Sequence, residues 1–357
     1  MKQKRIKYID ALRVIAIISV VAIHVFADFR DTYINTNRLY YGLITLLDSF
    51  TRMGVPIFFM ITGAFMLSKK ETKKYSQFLK QRLPKLLIPF FIISIIYFIY
   101  EGITQDKPLT VIEFIKQFTS SGGVKYHFWF MYIIILIYIF IPFIKVLVQN
   151  LKRNELRNLI IVIFILGNVL KTINLYTSKI DITLFTGITL KDITIYSNYV
   201  LLGYYLYNYD IKQNTRKKIY IIGILCILLI PIADLLLIDN MRNDVILGST
   251  SCFPLIPSMA LFLLLKYQYN NWNIPKIIDK IEQKSAPLIF YIYMIHVLIM
   301  ELITKQLQKI WIPNRFIERG LYYFIIFLST VILSYIIAII FHKIYSFCEH
   351  KIKKIRN

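Results

Sequence analysis

Apolar residues in this chain come in long unbroken runs, and clusters of Lys, Asn, Asp and Gln cut those runs at fairly regular intervals. Ten runs approach the roughly 20 residues needed to cross the hydrocarbon of a bilayer as a helix. They lie near 7–29, 43–67, 83–103, 127–148, 156–176, 194–208, 218–238, 249–267, 285–304 and 319–347, with the sixth the weakest. No Gly/Ser linker, internal repeat or low-complexity tail divides them, and no segment between them is large enough for a soluble domain. The pattern predicts one domain over 1–357, an all-α polytopic membrane bundle of about ten transmembrane helices. The first run has the basic flank of a signal peptide, but it is long, contains Arg13 and lacks a small-residue cleavage site, so it is expected to stay as the first transmembrane helix.

Composition agrees, with 57% hydrophobic residues and a mean hydropathy of +0.58 over 357 residues. The net charge of +23 raises the question of a nucleic-acid partner, and its distribution answers it. Of 43 basic residues, 28 fall on the side of the ten-span topology that carries the N-terminus, 13 on the other side, and Arg13 and Arg52 within spans. This is the positive-inside bias, and it places both termini in the cytoplasm. The excess charge is topology plus attraction to anionic lipid rather than a polynucleotide surface. Cys226, Cys252 and Cys348 are far apart and share no metal or redox spacing, so neither a structural disulfide nor a metal site is expected.

Against this apolar background, ionisable residues inside spans are costly and mark candidate function. Arg13 and His24 are eleven positions apart, which on a helix is about three turns and puts both on one face roughly 16 Å apart. In the expected topology the cation is in the cytoplasmic half and the imidazole near the outer surface. Asp10 is one turn from Arg13, and Asp28, one turn beyond His24, either orients the imidazole or is a solvated loop aspartate. Asp48 and Arg52 fall at the outer end of the second span, where Arg52 either pairs with Asp48 or reaches for headgroups. They precede a segment whose Gly54, Gly63 and Ala64 allow close helix approach. His127 and Trp129 are expected near the outer surface, and His296 near the bilayer middle. Each histidine taken alone either bonds a neighbouring helix or does chemistry; together they point to an outward pocket. On the other side, the lysine-rich stretch 69–89 ends with Arg82 and Lys85 where the third span enters the membrane, a placement that suits phosphate or lipid headgroups.

In company, these residues resemble the acyltransferase-3 superfamily of membrane acyltransferases, and especially its stand-alone members of the enterobacterial common antigen O-acetyltransferase type. The resemblance covers nearly the whole chain. It rests on Tyr8-Ile9-Asp10 with Arg13 and, after ten residues, His24; on Arg82 followed by Lys85 where the family has Arg-x-x-Arg; and on Arg52 to Leu67, with Thr62 for Ser. His127 to Phe130 and the box Tyr293 to His296, with Val297 in place of Pro, complete it.

The resemblance implies transfer of an acyl group, usually acetyl, from cytoplasmic acyl-CoA to a hydroxyl of an extracytoplasmic or lipid-linked cell-surface glycan in a bacterial cytoplasmic membrane. Arg82 and Lys85 would hold the CoA phosphates and Arg13 the pantetheine arm. His24, oriented by Asp28, would be general base or transient acyl carrier. Arg52, His127 and Trp129 would line the acceptor side or support the tetrahedral oxyanion, with His296 behind them. The substitution of Lys85 for Arg keeps charge but loses the bidentate fork. Acyl-CoA is a donor substrate, and no permanently bound cofactor is expected. No fused esterase-like domain is visible, so transfer is expected either directly to a lipid-linked precursor or through a separate extracytoplasmic transferase. Transport remains a second reading, since it also uses intramembrane charge and relatives fused to serine racemases are associated with amino-acid uptake.

Overall fold

The apolar runs are helical in the computed structural model, which describes residues 5–69, 74–120, 122–178, 192–236 and 247–356, the side chains of 175–178 and 348–356 excepted. In chain order the helices are α1 (Lys7–Asp31), α2 (Arg38–Thr51), α3 (Gly54–Met66), α4 (Tyr75–Gln105), α5 (Val111–Thr119), α6 (Trp129–Asn150) and α7 (Arg153–Ile163). They continue as α8 (Leu170–Ser178), α9 (Asp192–Asn208), α10 (Gln213–Leu235), α11 (Leu255–Gln268), α12 (Lys276–Ser285), α13 (Ile289–Ile310) and α14 (Phe316–Arg356). No strand occurs among the described residues.

Among the described residues eight stretches are long and apolar enough to cross a membrane: Lys7–Asp31, Arg38–Met66, Tyr75–Gln105, Tyr126–Asn150, Arg153–Asn174, Gln213–Leu235, Ile289–Ile310 and Phe316–Phe347. Two of the ten expected runs fall outside these eight stretches. The runs at 194–208 and 249–267 form α9 and α11, only 17 and 14 residues long. Helix α9 is buried along most of its length and packs on α3, while α11 packs on α10.

Two corrections concern the second run. It begins at Arg38 rather than 43, because Asn37 caps α2 by accepting from the Tyr40 N–H. It is also broken between α2 and α3, where Pro56 has no N–H to give the carbonyl of Arg52. The earlier start carries Asp48 and Arg52 away from the outer end and into the bundle, where both are buried.

Helices α1, α4, α6 and α13 show their relative directions. Lys85, Arg13 and Pro287 share one region, and Glu101, His24 and Glu301 lie toward the other end, so α1, α4 and α13 run together. Helix α6 runs oppositely, from Trp129 near His24 to Tyr138 near Arg13. Helix α1 is the axis, packing on α2, α3, α12, α13 and α14. Its foot is tied to α12 by Arg5, whose guanidinium bonds Asp10 at 2.7 Å and Asp279 at 2.9 Å. The closest crossings need glycine. A Cβ at Gly63 would overlap the Val200 carbonyl, one at Gly203 the Met60 carbonyl, and one at Gly54 would come within 2.8 Å of the Ala16 carbonyl.

Candidate functional site

Three histidines from three elements meet near the upper part of α1. His24 comes from α1, His127 from a short turn at Tyr126–Phe128 that leads into α6, and His296 from α13. Ring centroids are 5.1 Å apart for His24 and His296, 5.2 Å for His127 and His296, and 6.3 Å for His24 and His127. The rings are held by carbonyls, which only accept. His296 Nδ1 lies 2.6 Å from the Tyr293 carbonyl and His127 Nε2 lies 3.4 Å from that of Met294, so these nitrogens carry the protons. The partner of His24 is the Tyr126 hydroxyl, 3.3 Å from Nδ1.

The turn that delivers Tyr126 and His127 is itself anchored. Gly123 adopts φ +67°, the left-handed region that favours glycine, and redirects the chain after α5. Lys125 then reaches Glu101 on α4 at 2.7 Å and Glu301 on α13 at 2.6 Å. Burial alone would lower the Lys125 pKa, but hydrogen bonds to the two carboxylates outweigh it and hold the pKa above the ordinary ammonium value. Phe128, fully buried, plugs the underside against Phe90 and Tyr97.

These residues bound a cavity of about 560 Å³, the histidine cavity, lined by His24, Asp28, Arg52, Tyr126, His127, Trp129, Tyr196, Ser249 and Thr250 among others. Trp129 and Tyr196 form an aromatic wall, with rings 5.4 Å apart at 32°. The strip 249–251 is pinned from below. Asn168, in a π-helical turn between α7 and α8, donates to the Thr250 and Ser251 carbonyls at 3.0 and 3.1 Å, and Tyr199 donates to that of Ser249 at 2.6 Å.

Arg52 enters the cavity from a buried charge cluster. Asp48 binds Arg52, the Thr51 hydroxyl at 2.8 Å and, from the last turn of α1, Arg30 at 3.4 Å. Arg30 is also paired with Asp31 at 3.5 Å, and Arg52 extends from this cluster to the cavity wall.

A second cavity, of about 700 Å³, lies around the lower half of α1 and is lined by Arg13, Lys85, Thr62, Phe65, Tyr138, Tyr291, His342 and Tyr345 among others. In this arginine cavity Arg13 bonds Asp10 at 3.1 Å and lies 5.0 Å from the centre of the Phe65 ring. Arg82 stands one turn before Lys85 on the continuous helix α4 and shares with Arg13 electrostatic reach to Tyr138, but it does not line the cavity. Phe130 and Tyr293 line both cavities.

The structure thus brings His24, Asp28, Arg52, His127 and Trp129 to one cavity and Arg13 and Lys85 to the other, with His296 packed behind the first. The expected pairing of Asp28 with His24 is not formed, which corrects the orienting role assigned to Asp28. Tyr126 already occupies Nδ1, while Asp28 is exposed and faces the acidic Asp31 and Glu301. Sequence reasoning missed Tyr126, Tyr196, Arg30 and His342. Tyr126 directly precedes one quoted motif and Tyr293 begins another, but nothing in spacing ranks one tyrosine among 26. Among the described residues no group of three or more His, Cys, Asp or Glu is arranged to hold a metal ion.

An imidazole near one end of α1, cations near the other and two cavities with a common wall are thus set along one helix. A family model described as an acyltransferase domain, acyltransferase-3, matches residues 6–339. No curated protein and no solved structure matches the chain.

Proposed function

Since the chain belongs to the acyltransferase-3 family, we propose that this membrane acyltransferase moves an acyl group, in the first instance acetyl, from acyl-CoA in the arginine cavity to a hydroxyl in the histidine cavity. The observation that carries the reading is the pair of cavities on one helix, with Phe130 and Tyr293 common to both. The basic residues around the Arg13 end support a cytoplasmic placement of that end, the side on which CoA thioesters occur.

Lys85 and Arg13, with Arg82 one turn further out, supply cations for the CoA phosphates, and the apolar wall between them and His24 suits the narrow pantetheine arm. In the histidine cavity the Trp129–Tyr196 wall offers a face for the apolar side of a sugar ring. Asp28, Ser249 and Thr250 offer hydrogen-bond partners for its hydroxyls, so a cell-surface glycan, free or lipid-linked, is the acceptor that fits.

With Nδ1–H donating to Tyr126, His24 keeps a lone pair on Nε2 for the acceptor proton. The acceptor oxygen bonds to the thioester carbonyl carbon as its proton passes to Nε2. Arg52 stabilises the tetrahedral oxyanion. Collapse breaks the C–S bond, and the departing sulfur takes the proton from the imidazolium, leaving an ester and CoA thiol. The hydroxyl esterified in this way belongs either to the lipid-linked glycan itself or to a separate extracytoplasmic transferase that carries the acyl group onward.

The test combines glycan mass spectrometry of cells carrying wild type or His24→Ala with turnover of labelled acetyl-CoA by their membranes. Loss of acylated glycan and of thiol release in the variant is expected. Unaltered acylation in a deletion strain, together with lost energy-dependent solute uptake, would replace the reading with transport.

A further inference from the structure

Phe130 and Tyr293 are the residues, among those described, that line both cavities, and both are nearly buried, at 8% and 5% exposure. Their rings pack at 4.9 Å between centroids and 53° between planes, closing the space through which the lower cavity faces the upper. They are held very differently. Tyr293 is pinned, because its hydroxyl donates to the His127 carbonyl and its own carbonyl accepts from His296. Phe130 has no polar atom on its ring and packs against further rings, Phe59 at 5.0 Å, Phe58 at 6.1 Å and Trp129 at 6.2 Å, within the apolar core. One ring is a fixed post; the other turns by side-chain rotation alone.

On the reading that the acyl group passes from the arginine cavity to His24, it has to pass this pair. We infer that Phe130, working against the pinned Tyr293, sets the length of acyl group the protein transfers: a two-carbon group slips past with a small rotation of the Phe130 ring, and a longer chain has no room until that ring is displaced. Tyr293 keeps the opposite edge in place, so the aperture is defined by one movable side chain. Apolar apertures discriminate by size with factors of about 10 to 200 per excluded group, which is the range in which the effect is expected.

The experiment uses membranes of cells that carry the native acceptor, supplied separately with labelled acetyl-, butyryl- and octanoyl-CoA. The readout is the ratio of label transferred from the long donor to that from the short one. Wild type is expected to favour acetyl strongly. Phe130→Ala should raise the octanoyl-to-acetyl ratio by about tenfold or more. Phe130→Leu, which keeps apolar packing if the alanine variant does not fold, should raise it by a smaller factor. Phe130→Trp should reduce transfer from butyryl-CoA more than from acetyl-CoA. Because the readout is a ratio, the amount of folded protein cancels. Transfer by both smaller variants with an unchanged ratio overturns the aperture and leaves the acyl-CoA reading standing. Wild-type membranes that take label from none of the three thioesters overturn that reading and the aperture with it.

Discussion

The Tyr126 hydroxyl lies 3.3 Å from Nδ1 of His24 and so joins the turn before α6 to the helix that carries the base. The pair does what was expected of Asp28, since a group on Nδ1 decides which way the imidazole faces and which nitrogen is basic.

Replacing Tyr126 with Phe removes that hydrogen bond and keeps the ring. A net hydrogen bond is worth about 1 kcal/mol, so kcat should fall about fivefold with KM for acyl-CoA unchanged. His24→Ala should lose about a hundredfold or more, the contribution of a positioned general base. Steady-state release of CoA thiol measures both.

In the arginine cavity the effects should appear in donor binding. Arg13→Ala and Lys85→Ala should each raise KM for acyl-CoA about tenfold with little change in kcat, because a charge-assisted bond contributes about 1.5–3 kcal/mol. Lys85→Arg should bind at least as tightly as wild type by restoring a bidentate fork. Initial rates over a range of acyl-CoA concentrations separate the two parameters.

Lys125 separates two carboxylates from different helices. Lys125→Met leaves Glu101 and Glu301 facing each other unpaired and should cost about 1–3 kcal/mol, less than a fully buried pair because Glu301 is 28% exposed. Glu101→Gln or Glu301→Gln leaves Lys125 one partner and should cost less. Thermal unfolding in detergent ranks the three, and the same loss of anchorage should lower kcat through Tyr126.

At the crossing of α3 and α9, Gly63→Ala should destabilise by about 1–3 kcal/mol or more, since its methyl group meets the backbone carbonyl of Val200 rather than a side chain that can move aside. Gly122→Ala, where a Cβ meets nothing within 4 Å, is the control and should be close to neutral. Both are read by thermal unfolding.

The foot of α1 should loosen in acid. Burial alone would raise the Asp279 carboxyl, but Arg5 and then Lys7 outweigh it and hold it below the ordinary carboxylate value. A depressed pKa stabilises the fold at and above the ordinary carboxylate range, and that stability is lost as pH falls through the lower folded value. The difference in melting temperature between wild type and Asp279→Asn should therefore be present at neutral pH and be lost as pH falls below the ordinary carboxylate range in a detergent melt.

What the sequence alone determined is whatever a single segment expresses. Ten apolar runs, the alternating direction expected of them and the shared face of Arg13 and His24 follow from segment length, local charge and helical period, and all ten runs are helical in the structure. The glycines of α3 were legible for the same reason, as residues small enough for a close crossing. What only the tertiary structure decided depends on segments distant in the chain. His296 meets His24 because α13 runs beside α1, and Tyr126 displaces Asp28 as the partner of His24 because Lys125 draws its turn onto two other helices. Arg52 is buried because α2 starts early and Arg30 shares its carboxylate. The shared wall of Phe130 and Tyr293 had no sequence signal, since an apolar ring that fills a core and one that divides two cavities differ only in what other helices place on either side.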